Sequence, residues 1–348
     1  MSFSFKELDK DSRSIAVIID VKDRNCQETV YINDMKSYDE KEDLDLEKEV
    51  EKYAESINKN ESNVIQSFKL KPEYEFRPVP YDFAENRERM IKFIVGKSGS
   101  GKSWYIAKWL QLYNYMYPKN KIYFICNKSI TEDKSYAELI KLKPFLKSFC
   151  PLSMLDFRSV LDFKEFDNCL FVFDDVIDMK PIIPLEYAAY TILSKKLNRS
   201  DITNAQINEL MAKDLFAVTE RASVIAKQVK NNIADSIGLI LKAGRKNGIS
   251  ALIVDHKLFS GRQTGDLASA IIDESHQIVL FPYSNISDET LIEFFKKKLS
   301  FDRGRSLEII KRRFKKFEYL LINTSETNFA LLSNEIKILP RNNERTIK

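Results

Sequence analysis

The sequence predicts a three-layer α/β fold with a mostly parallel central sheet, and three observations support this. Five apolar runs of four to six residues, rich in Ile, Val and Phe, follow residue 91. Their apolar residues do not alternate with polar ones, which is typical of strands buried on both faces. Helical segments separate the runs, which indicates a parallel sheet covered by helices. The first run also leads directly into a glycine-rich loop. The five runs are residues 92–95, 122–126, 170–175, 251–256 and 277–282.

The first 85 residues are polar and charged, and they differ in composition from the rest of the chain. Residues 14–21 (SIAVIIDV) are expected to form an edge strand. Residues 39–60 are expected to form a charged helix, since residues 39–51 carry eight acids against two lysines. Residues 77–83 contain two prolines, each of which favours an extended predecessor. We therefore expect residues 1–85 to be a charged N-terminal region that ends in a linker.

The main domain is expected to span residues 86–335, followed by a basic tail at 336–348. Between the third and fourth apolar runs, residues 183–243 form a long stretch with helical periodicity. A minimal nucleotide-binding domain needs only one crossover helix between these two strands. The additional helical residues therefore predict an inserted helical subdomain. Residues 318–333 are expected to form a closing β-hairpin. The remaining helices are predicted at residues 102–117 and 135–149.

The stretch GKSGSGKS at residues 96–103 matches G-x-x-x-x-G-K-[ST]. A predicted strand precedes it and a predicted helix follows it, which is the context of a phosphate-binding loop. Glycines let the backbone curl so that its N–H groups point inward, and the helix N-terminus adds positive potential. Lys102 is expected to reach the β- and γ-phosphates of ATP, and Ser103 to coordinate Mg²⁺. The expected nucleotide-binding residues are Gly96, Lys97, Ser98, Gly99, Ser100, Gly101, Lys102 and Ser103.

The run LFVFDD (residues 170–175) ends in two carboxylates. The carboxyl end of a buried strand is where open α/β sheets bind ligands. Asp174 is expected to hold Mg²⁺, and Asp175 to polarise the attacking water. The alternative for Asp175 is that it merely caps the following turn.

The run ALIVDH (residues 251–256) is expected to lie between the loop strand and the acidic strand, as in P-loop NTPases of the ASCE type. That position places Asp255 and His256 beside the phosphates. His256 can donate a hydrogen bond to a phosphate oxygen, although an incidental surface histidine has the same sequence appearance. ATP and Mg²⁺ are the ligands implied by these motifs.

Composition excludes few partners, because the formal net charge is only +4. Basic residues are concentrated at 296–316, where ten bases stand against two acids and aromatic residues interleave with lysine and arginine. That stretch is either a solvated helix face or a contact for nucleic acid or a capsid component. The four cysteines show no metal or disulfide spacing, which favours a reducing compartment. No apolar run reaches the length of a membrane span, and the N-terminus does not resemble a signal peptide.

The motifs in this order resemble the poxvirus-type genome-packaging ATPases of the FtsK–HerA superfamily, which occur in double-stranded DNA viruses. The resemblance covers roughly residues 88–335 and rests on GKSGSGKS, LFVFDD, GRKNGISALIVDH and SHQIVLFPYSN. It departs from the family at His256, where the family tends to have Gln, in the insertion at 183–243, and in the acidic N-terminal region.

The resemblance implies an ATP-driven translocase that threads double-stranded DNA into a preformed capsid. It implies a homo-oligomeric ring of five or six copies, contact with capsid vertex proteins, and a location in the virion or at its assembly site in the host cell. In the family, an arginine ahead of the sensor strand acts on the ATP of the neighbouring subunit, and Arg245 matches that position. Arg221 and Arg262 are lesser candidates. The alternative for Arg245 is a solvent-facing residue after a helix stop at Gly244.

Three other functions use the same loop. One is a small-molecule phosphotransferase resembling a nucleoside kinase, although no compact arginine-rich lid segment is evident. Another is a different DNA translocase or helicase of the same superfamily. The third is a non-enzymatic assembly protein that binds ATP structurally, against which the paired Asp174 and Asp175 argue.

Overall fold

The structure is a computed structural model that describes residues 2–5, 13–23, 25–33, 40–59, 65–79, 89–126, 133–177, 180–258, 265–282, 286–310, 314, 316–324 and 329–338. Within these residues the chain forms two β-sheets and a set of helices that cover the larger sheet. The expected lesser candidate Arg262, most of the basic tail and part of the linker lie outside the described residues.

The strands of the described residues are β1 (Ser2–Ser4), β2 (Arg13–Asp20), β3 (Cys26–Asn33), β4 (Ala54–Lys59), β5 (Ile65–Leu70), β6 (Tyr74–Pro78), β7 (Ile91–Val95), β8 (Lys121–Cys126), β9 (Phe149–Leu152), β10 (Cys169–Asp174), β11 (Ser250–Asp255), β12 (Gln277–Leu280), β13 (Leu320–Asn323), β14 (Phe329–Leu332) and β15 (Glu335–Ile338). The α-helices are α1 (Glu40–Tyr53), α2 (Lys102–Met116), α3 (Lys134–Leu139), α4 (Lys143–Ser148), α5 (Leu185–Leu197), α6 (Asn204–Lys213), α7 (Leu215–Ala243), α8 (Gly265–Glu274), α9 (Asp288–Leu299) and α10 (Arg303–Ile310).

The larger sheet has eleven strands in the order β4-β5-β15-β14-β13-β12-β7-β11-β10-β8-β9. From β12 to β9 every neighbouring pair is parallel. Strand β11 lies between β7 and β10, which confirms the expected insertion of an added strand. The carboxyl ends of β7, β10 and β11 therefore meet at one edge of the sheet. This strand order is that of a P-loop NTPase of the ASCE type.

From β12 to β4 the neighbouring strands are antiparallel. Strands β13 and β14 form the expected closing hairpin, with Leu321 opposite Leu331. Strand β15 pairs with β14 and extends this part of the sheet beyond residue 335, where the main domain was expected to end. It also pairs with β5, with Ile336 opposite Phe68. Two strands of the N-terminal region thus extend the central sheet.

A smaller antiparallel sheet has the order β1-β3-β2-β6. Strand β2 coincides with the apolar run at residues 14–21, but the expected edge position is wrong, because β3 and β6 flank it on both sides. The charged helix expected over residues 39–60 is shorter than expected. It ends at Tyr53, and residues 54–59 form strand β4.

The helix predicted at residues 135–149 is instead two short helices, α3 and α4, separated at residues 140–142. Pro144 lies in the first turn of α4. Proline lacks the N–H that a continuous helix would need there, so the helix restarts rather than continues.

The sheet separates two apolar layers. One face packs against α5–α9 and contains inward residues such as Phe93, Phe171 and Ile253. The other face packs against α2–α4 and the smaller sheet and contains residues such as Ile94, Val172 and Leu252. The expected helical insertion is confirmed as α5, α6 and α7, whose buried residues belong to the first layer. Alternate residues of each central strand are thus buried on opposite faces, as the unalternated apolar runs predict.

Candidate nucleotide-binding site

The glycine-rich loop connects the buried strand β7 to helix α2. The Gly96 amide donates to the carbonyl oxygen of Asp255 at 3.2 Å, which joins the start of the loop to the end of β11. A Cβ atom at Gly96 would lie 2.7 Å from both the Phe281 Cβ and the Ser100 Oγ, so the backbone approaches its neighbours too closely for any side chain. Gly101 has a φ of 107° and immediately precedes the first residue of α2. Glycine adopts this backbone conformation without steric cost.

The Lys102 side chain is buried and folds back over the loop. Its Nζ donates to the carbonyl oxygen of Gly96 and lies 3.4 Å from that of Lys97. The same nitrogen is 3.2 Å from Nδ1 of His256 and 3.9 Å from Oδ1 of Asp175. Burial lowers the pKa of Lys102, and the carboxylates of Asp175 and Asp174 oppose that shift. An ammonium group thus lies within the loop, where phosphate oxygens can replace the carbonyls as its acceptors.

Asp174 ends strand β10, and its carboxylate is contacted by a tyrosine from α3. The Tyr136 hydroxyl donates to Oδ2 of Asp174 at 3.0 Å, and Tyr136 is also hydrogen-bonded to the Ser103 side chain. Burial first, and then the neighbouring Asp175 charge, raises the pKa of Asp174 from 3.8 to about 7. The two residues expected to hold Mg²⁺ are therefore joined through one phenol oxygen.

Asp175 directly follows the strand and has a φ of 54°, in the left-handed region that aspartate tolerates better than most residues. Its Oδ2 is 3.1 Å from Nε2 of His256. Its Oδ1 is buried and has no hydrogen-bond partner within the described part of the chain. A buried carboxylate oxygen without a donor is costly, and it is available to a water or hydroxyl entering the site.

The two polar residues at the end of β11 have different environments. Asp255 accepts hydrogen bonds on Oδ1 from the backbone amides of His256 and Lys257, at 2.6 and 3.4 Å, so part of its carboxylate stabilises the strand end. The His256 ring instead lies between Lys102 and Asp175. If Nε2–H donates to Asp175, Nδ1 is free to accept from the Lys102 ammonium, so one neutral tautomer satisfies both contacts. The His256 side chain, at the expected sensor position, therefore contacts both Lys102 and Asp175.

The structure brings Lys102, Ser103, Asp174, Asp175 and His256 to one edge of the sheet. It does not bring Arg245 there. Arg245 is exposed in the turn that precedes β11, so it lies at the amino edge of the sheet, opposite the loop. The lesser candidate Arg221 lies in the helical insertion, where its Nε donates to Oγ1 of Thr191 at 3.1 Å.

Residues 296–299, the start of the basic stretch, form the last turn of α9, which buries Phe294, Phe295 and Leu299. Residues 311–313 and 315 of that stretch lie outside the described residues. Lys297 pairs with Glu293 at 2.6 Å, and Nζ of Lys298 donates to the carbonyl oxygen of Asp273 at 2.8 Å. The expected helix that buries phenylalanine and carries lysine on its surface is therefore present.

Two contributors to the site were not identified from the sequence. Tyr136 occurs in an ordinary amphipathic segment, and only the fold brings it next to Asp174. Phe317 precedes β13, and its Cδ1 would lie 3.1 Å from a Cβ atom on Gly101. Neither residue belongs to a recognisable motif, so the sequence carries no signal for them.

The residues present fit Mg²⁺ and a nucleoside triphosphate. A loop rich in backbone N–H groups, one buried cation and a helix N-terminus suit phosphate oxygens. The Ser103 hydroxyl and the Asp174 carboxylate are oxygen ligands of the kind that Mg²⁺ prefers. Oδ1 of Asp175, which accepts no hydrogen bond from the described residues, adds an acceptor on the same side. Among the described helices, none is both long and apolar enough to cross a membrane.

No family model matches the chain. A curated relative is the uncharacterized protein V3 of Sputnik virophage, which is 23% identical over 268 residues, or 77% of this chain and 83% of the relative. Similar solved structures include the genome packaging NTPase B204 from Sulfolobus turreted icosahedral virus 2 in complex with ATP-gammaS. It is 12% identical with a TM-score of 0.38, and the match covers 73% of this chain and 100% of that chain.

Another similar structure is VirB4 of Thermoanaerobacter pseudethanolicus, which is 12% identical with a TM-score of 0.37. The match covers 75% of this chain and 92% of that chain. At these identities and TM-scores the comparisons assign neither a family nor a function, and the fold assignment rests on the strand order of this chain.

Proposed function

We propose that this chain is an ATPase that hydrolyses Mg·ATP at the carboxyl edge of β7, β10 and β11. One observation carries the proposal: the Lys102 ammonium, the Asp175 carboxylate and the His256 ring contact one another at the end of a glycine-rich loop. A structural ion pair would not need a loop in which Gly96 leaves no room for a side chain and Gly99 and Gly101 have positive φ. Phosphoryl transfer depends mainly on positioning and charge neutralisation, and this cluster supplies both.

Each residue has a distinct role in the proposed reaction. Lys102 neutralises charge on the β- and γ-phosphates, and the loop amides orient them. Ser103 and Asp174 hold Mg²⁺, which when bound neutralises charge on the phosphate oxygens. Asp175 orients the attacking water through Oδ1 and accepts its proton. His256 fixes the Asp175 carboxylate by donating Nε2–H to Oδ2.

At a finer level, we propose a translocase that moves double-stranded DNA into a viral capsid, working as a homo-oligomeric ring in contact with capsid vertex proteins. The resemblance of the motifs to genome-packaging ATPases supports this. The lysines on the surface of α9 support it as well, because phosphate contacts are indifferent to sequence and allow sliding. Arg245 is proposed to act on the nucleotide of a neighbouring subunit, since it is exposed at the edge opposite its own loop.

ATP turnover of purified variants tests the ATPase proposal. Lys102→Ala and Asp174→Ala are expected to abolish turnover, whereas Lys119→Ala, at an exposed position just after α2, is expected to leave it unchanged. Retained turnover in Lys102→Ala would show that the proposed site is not the active one. Phosphate transfer to a nucleoside in preference to water would instead favour a phosphotransferase.

Mixing experiments test the ring and the trans role of Arg245. Arg245→Ala and Lys102→Ala proteins are each expected to be inactive, and their mixture to regain part of the activity with DNA present. A neighbouring arginine can contribute ~10³–10⁵ in rate. Lys246→Ala, at the adjacent exposed position, is the matched control and should stay active alone. Turnover that is strictly proportional to protein concentration and insensitive to DNA would contradict the translocase.

A further inference from the structure

Phe317 is an exposed aromatic residue in an unfavourable backbone conformation. Its side chain is 60% exposed, and its φ is 72°. A bulky residue in the left-handed region is a true outlier, and such strain persists only where the surroundings hold it. Glycine or asparagine would be the ordinary residue at an exposed position with a positive φ. The combination calls for a reason to place an aromatic ring at this position.

The ring lies against the end of the phosphate loop. A Cβ atom on Gly101 would lie 3.1 Å from Cδ1 of Phe317 and 3.6 Å from Cε1 of Phe281. Phe281 is buried and packs edge-on against Tyr105, with ring centroids 6.0 Å apart, and Tyr105 packs against Tyr319 at 5.0 Å. These contacts place Phe317 beside an aromatic cluster that belongs to rigid elements of the fold.

The strand order places Phe317 on the side of the loop where a nucleoside must lie. Asp175 and His256 follow β10 and β11, on one side of β7. Phe281 follows β12 and Phe317 precedes β13, on the other side of β7. Hydrolysis occurs at the γ-phosphate, so that end of the triphosphate belongs beside the acidic cluster. The α-phosphate and its nucleoside then lie toward β12 and β13.

We propose that Phe317 is the residue on which the base of the bound nucleotide stacks, an inference that rests on the proposed ATPase function. The ring is 60% exposed, and base–aromatic stacking does not depend on the identity of the base. The Lys316 ammonium, 5.0 Å from the centroid of the ring, adds positive charge beside the site. Phe317 therefore contributes affinity for nucleotides, with little discrimination between ATP and GTP.

Calorimetric titration with Mg·ATP and with Mg·tripolyphosphate separates base binding from phosphate binding. Phe317→Ala is expected to bind ATP about tenfold more weakly and tripolyphosphate within twofold of the unchanged protein. Phe317→Tyr should restore ATP affinity, and Phe317→Leu, which keeps apolar contact with the loop, should not. Tyr115→Ala removes an exposed aromatic residue near the far end of α2 and is expected to change neither titration.

A second variant separates stacking from a structural role. Phe317→Gly relieves the positive φ, so its melting temperature is expected to be unchanged or higher, while its ATP affinity falls as in Phe317→Ala. Parallel losses of ATP and tripolyphosphate binding, or an unchanged ATP affinity in Phe317→Ala, would overturn the inference. If the unchanged protein binds neither ligand, or if Lys102→Ala binds both normally, the ATPase proposal itself fails.

Discussion

The Tyr136 hydroxyl lies 3.0 Å from Oδ2 of Asp174 and is also hydrogen-bonded to the Ser103 side chain. One phenol therefore connects the end of strand β10 to the first turn of helix α2. Tyr136 lies on α3, so this short helix sets the separation of two groups that belong to different elements. Outer residues of this kind orient metal ligands and are as important to a site as the ligands they contact.

Tyr136→Phe is expected to raise the Mg²⁺ concentration needed for half-maximal ATP turnover about tenfold, with little change at saturating Mg²⁺. The reason is that Ser103 and Asp174 lose their common hydrogen-bond partner. Titration of turnover with Mg²⁺ measures the effect. Tyr113→Phe also removes a buried hydroxyl, one that accepts from Asn120, and should leave the Mg²⁺ dependence unchanged. An unaltered Mg²⁺ requirement in Tyr136→Phe would refute this role.

His256→Ala is expected to lower kcat by ~10²-fold or more and to leave KM for ATP nearly unchanged. His256 contacts the carboxylate proposed to orient water, at 3.1 Å, so its loss is expected to affect the chemical step more than ATP binding. His256→Gln retains a donor and should recover part of the loss. Steady-state kinetics of the two variants provide the check, and a change confined to KM would contradict it.

Substitutions at two glycines of the loop are expected to differ in severity. Gly96→Ala places a Cβ atom 2.7 Å from Phe281 and from Ser100, and should destabilise the fold by ~1–3 kcal/mol and abolish nucleotide binding. Gly99→Ala meets no atom within 4 Å and suffers only from its φ of 76°, at a cost of ~1 kcal/mol. Melting temperatures and ATP titrations measure both. Equal effects would mean that steric contact at Gly96 is unimportant.

Lys92 is expected to limit stability at neutral pH. Its side chain is fully buried in β7, with Nζ 4.6 Å from the centroid of the Trp109 ring and 3.3 Å from the Tyr105 hydroxyl. Burial lowers the pKa of Lys92 well below 10.5. The unfolded chain therefore binds more protons than the folded one at neutral pH, and this penalty decreases as the pH rises toward 10.5.

Lys92→Met is thus expected to raise the melting temperature at pH 7 by on the order of 2 °C or more, with a smaller gain at pH 10. Thermal unfolding across this pH range measures the difference. Lys69→Met, on the exposed side of β5, is the control and should change stability by less than about 0.5 kcal/mol. A destabilised Lys92→Met protein would mean that the ammonium makes a net favourable contact with Trp109 and Tyr105.

The parallel half of the sheet could be predicted because its strands are apolar on both faces. The apolar runs that form β7, β8, β10, β11 and β12 could be recognised without knowing which strands they pair with. The loop and the paired Asp174 and Asp175 were recognisable because each depends on local spacing. Their convergence follows from the parallel strand order, which places the carboxyl ends at one edge.

The antiparallel half could not be predicted, because its pairing is set by residues far apart in sequence. Strand β3 (CQETVYIN) is polar along much of its length, so its sequence does not indicate a strand. Because β3 pairs with β2, β2 is an interior strand of the smaller sheet rather than an edge strand. The pairing of Phe68 with Ile336 has no local signal in either segment. The same holds for Tyr136, whose role depends on how α3 packs rather than on its neighbours in the chain.

Because β15 lies between β5 and β14, residues 65–70 gain their second partner strand only when residues 335–338 have left the ribosome. Until then the β4–β5 hairpin has one unpaired edge along β5. The ordering of this region is therefore a late event in biosynthesis, separated from its own translation by more than two hundred codons.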